Sequence, residues 1–242
     1  MRVLVISDVH GNLPALEYVL KQEKNVDLVV SLGDVVNYGP WSNECVELLE
    51  TLDNKTLILG NHEENFITGT YKGGNLVAKS FFEHCYPLFN VKSKISNYMK
   101  EFSLGNSDFI HTINERYIFS DTQIKIKKNT FIGHSHQIFS NMVDNFRLVN
   151  VGSVGQNRKN IDEINYVIWD KEKDLVSLIK KHFINDKLIN EMKRCFTRIP
   201  AITIIKKLRL PMIKDVPKSG STMMNPIINN GIPAAFSNVG NK

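Results

Sequence analysis

The 242-residue sequence predicts an α/β fold with two sheets rather than one, followed by a basic C-terminal segment. Three observations predict it. Short, wholly apolar runs alternate with helix-period segments over the first 60 residues, the order expected of parallel strands joined by right-handed helical crossovers. Further short apolar runs between residues 108 and 169 are spaced as in an antiparallel or mixed sheet. The charge balance then shifts: residues 1–170 carry 16 Lys and Arg against 20 Asp and Glu, whereas residues 171–214 carry 12 against 4.

The elements follow in order. Val3 to Ile6 is apolar throughout and bounded by polar residues, as in a strand buried on both faces. Leu13, Leu16, Val19 and Leu20 recur at helical spacing, and Pro14 suits a first helical turn. Asp27 to Leu32 reads as a second buried strand, ended by Gly33. Ser42 to Leu52 reads as a helix with Cys45, Leu48, Leu49 and Leu52 on one face, and Thr56 to Leu59 as a third strand, ended by Gly60. Helices are expected over Asn75–Tyr86 and Ser96–Glu101. Strands are expected at Asp108–His111, Arg116–Phe119, Thr130–Ile132, Arg147–Val151 and Asn165–Trp169.

Beyond Lys171 the spacing predicts two basic amphipathic helices, Leu175–Phe183 and Asp186–Phe196. An apolar run, Ile199–Ile205, leads into Lys206, Lys207 and Arg209. Residues 171–213 are therefore expected to form a basic helical appendage, and 214–242, rich in Pro, Gly, Ser and Asn, a flexible tail. A hydrophobic fraction of 42% excludes a wholly disordered chain. Three widely spaced cysteines argue against a disulfide framework, no segment approaches the length of a membrane span, and the first apolar run is too short for a signal-peptide core. A cytoplasmic location is the expectation.

Five short motifs carry chemistry: Asp8-Val9-His10-Gly11-Asn12, Gly33-Asp34, Gly60-Asn61-His62-Glu63, His111, and Gly133-His134-Ser135-His136. Taken singly, each has a plain structural reading, such as a capping Asp or a strand histidine. Together they suit a divalent metal pair. Asp8 and Asp34 offer anionic oxygens, His10, His111, His134 and His136 imidazole nitrogens, and Asn61 an amide oxygen. Such mixed sets favour zinc, iron, manganese or nickel over calcium. Three of the motifs end buried strands, where ligand sites form in α/β sheets. An Asp-x-His pair points to one place only if the backbone curls, and Gly11, Gly33, Gly60 and Gly133 offer that freedom.

With these motifs the sequence resembles the calcineurin-like metallophosphoesterases, in particular small bacterial members of diadenosine-tetraphosphatase-like or phosphodiesterase-like type. The likeness includes Gly33 to Pro40 and Asn150 to Arg158 and spans residues 3–170. It implies a four-layer αββα sandwich of two mixed sheets flanked by helices, with residues 1–170 as the metallophosphoesterase domain. It implies a first metal held by Asp8, His10, Asp34 and His136, and a second by Asp34, Asn61, His111 and His134, with Asp34 bridging. A hydroxide formed between two metals would attack phosphorus in line. His62 is then expected as general acid or phosphoryl clamp.

Two departures narrow the reading. Related protein phosphatases carry Asp-Arg where this chain has Asn37-Tyr38, so that class of substrate is disfavoured. His111 is followed by Thr112 rather than the usual Gly. Asn12, Asn157 and Arg158 are candidate substrate contacts, each with a structural alternative: a helix cap for Asn12, and a turn at the sheet edge for the other two. The expected substrate is a nucleotide-like phosphate ester or anhydride. The basic segment leaves nucleic acid open as a partner, with nuclease or cyclic-phosphate chemistry as the alternative activity. A metal-free protein-interaction scaffold is a second alternative, and a homo-oligomer is left open.

Overall fold

The computed structural model describes residues 1–196. The expectations for Ile199–Ile205 and for the 214–242 tail lie outside the described residues. In the first sheet, β1 (Arg2–Ile6) is central, flanked by the parallel β2 (Leu28–Ser31) on one side and an antiparallel strand, Glu163–Asp170, on the other. The next strand beyond β2, β3 (Lys55–Leu57), is also parallel. The helices α1 (Leu13–Gln22) and α2 (Ser42–Glu50) make the crossovers. Asn12 caps α1, its Oδ1 accepting from Ala15 N at 3.3 Å, and Pro14 lies in the first turn.

The alternation within β1 explains its unbroken apolar character. Val3 and Val5 face the second sheet, whereas Leu4 and Ile6 face the helices, so neither side meets water. The helix-side core continues through α3 (Asn61–Thr68), α4 (Leu76–Cys85) and α5 (Lys92–Ile95), where Phe66 packs edge-on against Phe82 and Phe89.

The second sheet contains β4 (Glu101–Leu104), β5 (Ser107–Ile110), β6 (Asn129–Ile132), β7 (Phe139–Val143) and β8 (Phe146–Asn150), in the order β4-β5-β6-β8-β7. The strand beside β1 is thus β9, and β10 (Leu175–His182) completes the first sheet in the order β10-β9-β1-β2-β3. Both sheets are mixed, as expected. Between them, the Phe109 and Phe131 rings stack at 4.7 Å and 6°, and Trp169 of β9 meets them at 5.8 and 5.4 Å. The outer face of the second sheet is covered by the irregular segment 112–128, which seats Ile113, Ile118, Ile124 and Ile126 on Ile132 and Leu148.

Four expectations are corrected. Leu175–Phe183 is not a helix: Leu175–His182 pairs with β9 along its whole length. Val176 reaches the inter-sheet core and Ile179 the helix-side core, an alternation that a short run of helix-compatible spacing concealed. Residues 171–196 are therefore not a separate helical appendage. The last helix among the described residues, α6 (Asp186–Cys195), forms as expected but docks on the body, burying Leu188 and Met192, with the following Phe196 ring 5.4 Å from Phe81. Arg116–Phe119 forms no strand: it lies within the irregular segment 112–128, whose Ile118 is buried on the outer face of the second sheet. The helix expected over Ser96–Glu101 is replaced by α5 upstream and β4 downstream, and Phe139–Val143 is a strand that the sequence reading did not mark.

The Phe109–Phe131–Trp169 stack joins both sheets across the core. Phe131→Ala is expected to cost about 3–5 kcal/mol, through lost transfer energy and a cavity between rigid sheets. Urea denaturation followed by circular dichroism measures it, and a loss below about 1 kcal/mol would contradict this account of the core.

Candidate metal centre

The motif loops meet at the carboxyl ends of β1, β2, β3, β5 and β6, and several of their residues take unusual backbone conformations. Asp8, His10, Asp34, His134 and His136 all have φ between 50° and 65°. A left-handed conformation is costly for such residues and persists only where the surroundings enforce it. Here they do. Asp8 N donates to Gly33 O (3.0 Å), His10 N to Asp34 O (2.9 Å), and Gly155 N and Ser153 Oγ to Asp8 O (3.1 and 2.8 Å). Gly60 and Gly133 serve by their small size rather than by positive φ. A Cβ on Gly60 would stand 2.2 Å from Asp34 Oδ1, and one on Gly133 2.0 Å from Ser7 Oγ.

Asp8, His10 and His136 form one donor set. His136 Nε2 lies 3.1 Å from Asp8 Oδ1 and 3.2 Å from His10 Nε2, and His10 Nε2 lies 3.6 Å from Asp8 Oδ1. Both imidazoles are oriented from behind: His10 Nδ1 donates to Val36 O (3.2 Å) and His136 Nδ1 to Gln156 O (2.5 Å). A carbonyl can only accept, so each Nδ1 carries its proton and each Nε2 presents a lone pair. Asp8 Oδ1 consequently accepts no hydrogen bond although it is fully buried.

The second set shares the same design. His111 Nε2 lies 3.1 Å from Asn61 Oδ1, 3.1 Å from His134 Nδ1 and 3.2 Å from Asp34 Oδ2, and His111 Nδ1 donates to Leu32 O at 2.9 Å. Asp34 lies between the sets, within 4.8 Å of donor atoms on His10 and His62 on one side and on His111 and His134 on the other. Donors held about 2.0–2.2 Å from one ion stand roughly 3 Å apart, so this crowding of lone pairs fits divalent metals. All seven expected ligands are brought together, His111 included.

Charge supports the same reading. Burial opposes ionisation of Asp34, yet the protonated His111 beside it holds its carboxyl well below the usual range. Burial likewise opposes ionisation of Asp8, yet its carboxyl is held low, with the positive charge of His111 among the causes. His111 is pushed up to about 10 by Asp34 despite burial, so the carboxylates call for positive charge here. Burial lowers His62 and His134 to about 3, and burial with Arg158 nearby lowers His136 to about 4, leaving these rings neutral.

Around the donors, His62 Nδ1 accepts from Asn37 Nδ2 at 2.9 Å, and Tyr38 packs its ring 4.8 Å from His10 and 5.1 Å from His62. Arg158 Nη2 comes within 3.4 Å of His136 Nε2. Asn12 and Asn157 use their amides in hydrogen bonds within the fold, in keeping with the structural alternative for each. Asn12 Nδ2 donates to Gly155 O and Asn185 Oδ1 while its Oδ1 caps α1. Asn157 Nδ2 donates to Glu163 and Asn165, and its Oδ1 accepts from Lys159 and Asn160 N–H.

Glu63 was quoted in a motif but given no role by the sequence. Fully buried, it accepts from Asp34 N (2.7 Å), Val35 N (2.7 Å), Val36 N (3.1 Å) and Gly60 N (2.8 Å), tying the Asp34 loop to the start of α3. Its position three residues into a helix after Gly60 is the capping-box signal that could have found it. Tyr117, whose ring stacks on His134 at 4.2 Å, carried no sequence signal at all.

The model of the calcineurin-like phosphoesterases matches residues 1–201, and so runs past the boundary expected at 170. An uncharacterized protein of Methanocaldococcus jannaschii is 29% identical over 220 residues, covering 75% of this chain and 87% of that protein. A symmetrical bis(5'-nucleosyl)-tetraphosphatase of Buchnera aphidicola is 35% identical over 71 residues, 28% of this chain and 26% of that one. The crystal structure of a metallophosphoesterase from Sphaerobacter thermophilus shares the fold, with a TM-score of 0.70 and 24% identity over 87% of this chain and 99% of its own. With carboxylates, imidazoles and an amide converging at the strand ends as described, the chain belongs to the calcineurin-like phosphoesterases and is a metal-dependent phosphoesterase.

Proposed function

We propose that the protein hydrolyses a phosphodiester, phosphomonoester or phosphoanhydride bond in a nucleotide-like small molecule, using two divalent ions. The observation that carries this is two adjacent donor sets, Asp8–His10–His136 and Asp34–His111–His134, with His10 of the first also within 4.8 Å of Asp34. Asp8, His10, His136 and Asp34 would hold one ion, and Asp34, Asn61, His111 and His134 the other. The mixed imidazole and carboxylate donors suit manganese, iron, zinc or nickel. When bound, such ions supply a water of lowered pKa and positive charge for the phosphoryl oxygens.

The chain supplies the rest. Asn37 Nδ2 donates to His62 Nδ1, which leaves the proton on Nε2. His62 thus offers a neutral N–H donor to the leaving oxygen. Asn37 takes the place of the acidic partner that protein phosphatases use, and Tyr38 takes the place of their arginine. Arg158 approaches His136 from another loop and is the cation assigned to a phosphoryl oxygen. The likeness to a nucleosyl-tetraphosphatase over 71 residues supports a nucleotide-like substrate. A nucleic-acid role rested on residues 171–214 as a separate basic unit. Since β10 is a strand of the first sheet, that support is weaker.

Asp34→Asn is expected to lower bound metal and to reduce hydrolysis of a chromogenic diester with added manganese by on the order of 100-fold or more. Metal analysis and steady-state rates test it, and an Asp34→Asn protein that retains both metal and turnover would end the two-ion reading. Glu63→Gln should weaken metal binding about 10–100-fold and cost about 1–3 kcal/mol, because an amide NH₂ replaces one acceptor facing backbone donors. Metal titration and denaturant unfolding measure the two effects. His62→Ala should reduce kcat by about 10²–10⁴ with metal content unchanged. If kcat is preserved on a substrate with a poor leaving group, His62 is not the donor to the leaving oxygen.

A further inference from the structure

Arg158 stands in the loop after β8 with its Nε buried and without a hydrogen-bond partner. Its guanidinium carbon lies over the ring of Tyr117, 5.3 Å from the centroid. That ring is in turn stacked on His134, with centroids 4.2 Å apart and planes at 21°. His134 is itself fixed, its N–H donating to Asp8 Oδ2 at 2.9 Å. Tyr117 is 41% exposed and belongs to no helix or strand, yet its segment is pinned. Arg116 N donates to Ile113 O at 3.2 Å, Thr112 Oγ1 donates to Arg116 O at 2.5 Å, and Ile118 beside it is buried.

These contacts form a relay from the ligand loop to the arginine. A long, rotamer-rich side chain left free at the mouth of the site would lose entropy each time it engaged a phosphate. An aromatic face set against a cation removes part of that loss before the substrate arrives. We infer that Tyr117 is a positioning residue, whose ring, seated on His134, aims the Arg158 guanidinium at the phosphoryl group of the substrate. It acts through Arg158 and touches no reacting atom. The inference rests on the proposed phosphate contact of Arg158, and it names the device that lets an arginine from the loop after β8 serve where position 38 holds Tyr.

The test is a double-mutant cycle on the metal-loaded protein with a chromogenic diester. Tyr117→Ala should raise KM roughly two- to thirtyfold, the range of one cation–π contact, and Arg158→Ala, which removes the phosphate contact itself, at least as much, with kcat changed less. The double variant should be no worse than Arg158→Ala alone, and Tyr117→Phe, which keeps the ring, should restore the wild-type KM. A second readout needs no turnover. In zinc-loaded, ¹⁵N-labelled protein, the Arg158 Nε–H resonance should carry a ring-current shift that Tyr117→Ala abolishes and Tyr117→Phe retains. Arg158→Ala with wild-type KM would overturn the phosphate role on which the inference stands. A normal Arg158→Ala loss with an additive Tyr117→Ala loss, or a resonance that Tyr117→Ala does not move, would overturn the inference alone.

Discussion

Glu63 organises the centre of this protein without belonging to the donor sets. One fully buried carboxylate accepts the N–H groups of Asp34, Val35, Val36 and Gly60, and so joins the loops after β2 and β3. Burial and the charge of Asp34 push its pKa upward, against the pull of those backbone donors. The loop it clamps carries Asp34 in a left-handed conformation, and Asp34 faces both donor sets. Without such a clamp, strained backbone would relax and the carboxylate would swing away. Asn61 and His62 are aimed by the helix that Glu63 helps to begin, with His62 N donating to Asp34 Oδ1 at 2.9 Å.

The same logic recurs at three of the histidines. Three of the imidazoles turn Nδ1 to a backbone carbonyl, on Val36, Leu32 and Gln156, so tautomer and ring plane are set by the fold rather than by the ligand. Asn150 does this at one remove: its Nδ2 donates to Gly133 O and Ser135 Oγ, and its Oδ1 accepts from Gly152 N, holding the His134–His136 loop against the loop after β8. Electrostatic need and geometric control thus come from different groups. Carboxylates create the demand for cations, and backbone carbonyls and amides decide where those cations can be met.

Much of this was legible beforehand. The three parallel strands, their crossover helices and the seven donor residues follow from apolar runs ending in Gly and from residue type. Those features are local, and β1 reads as buried because both of its faces are. The errors arose where neighbours decide. Leu175–His182 carries helix-compatible spacing, but β9 offers an open edge, and pairing along eight residues outweighs a weak propensity. Arg116–Phe119 has strand-like residues, but its segment lies over the outer face of the second sheet, with Ile118 buried there. For Asn12 and Asn157 the structural alternative likewise rests on partners elsewhere in the chain, Asn185, Glu163 and Asn165, residues 6 to 173 positions away.

The sequence by itself determined the chemistry, because residue type sets which atoms can bind a divalent ion, and it determined the buried strands, because apolar runs and glycines act locally. The net charge of +5 and the basic segment it hides were legible as well, but not their meaning. Only the tertiary structure decided that β10 and α6 belong to the body, that Glu63 is the clamp, and that Tyr117 lies between His134 and Arg158. Each of these depends on which distant segment supplies the partner for an edge, a carboxylate or a ring, and that is settled by packing across the whole chain.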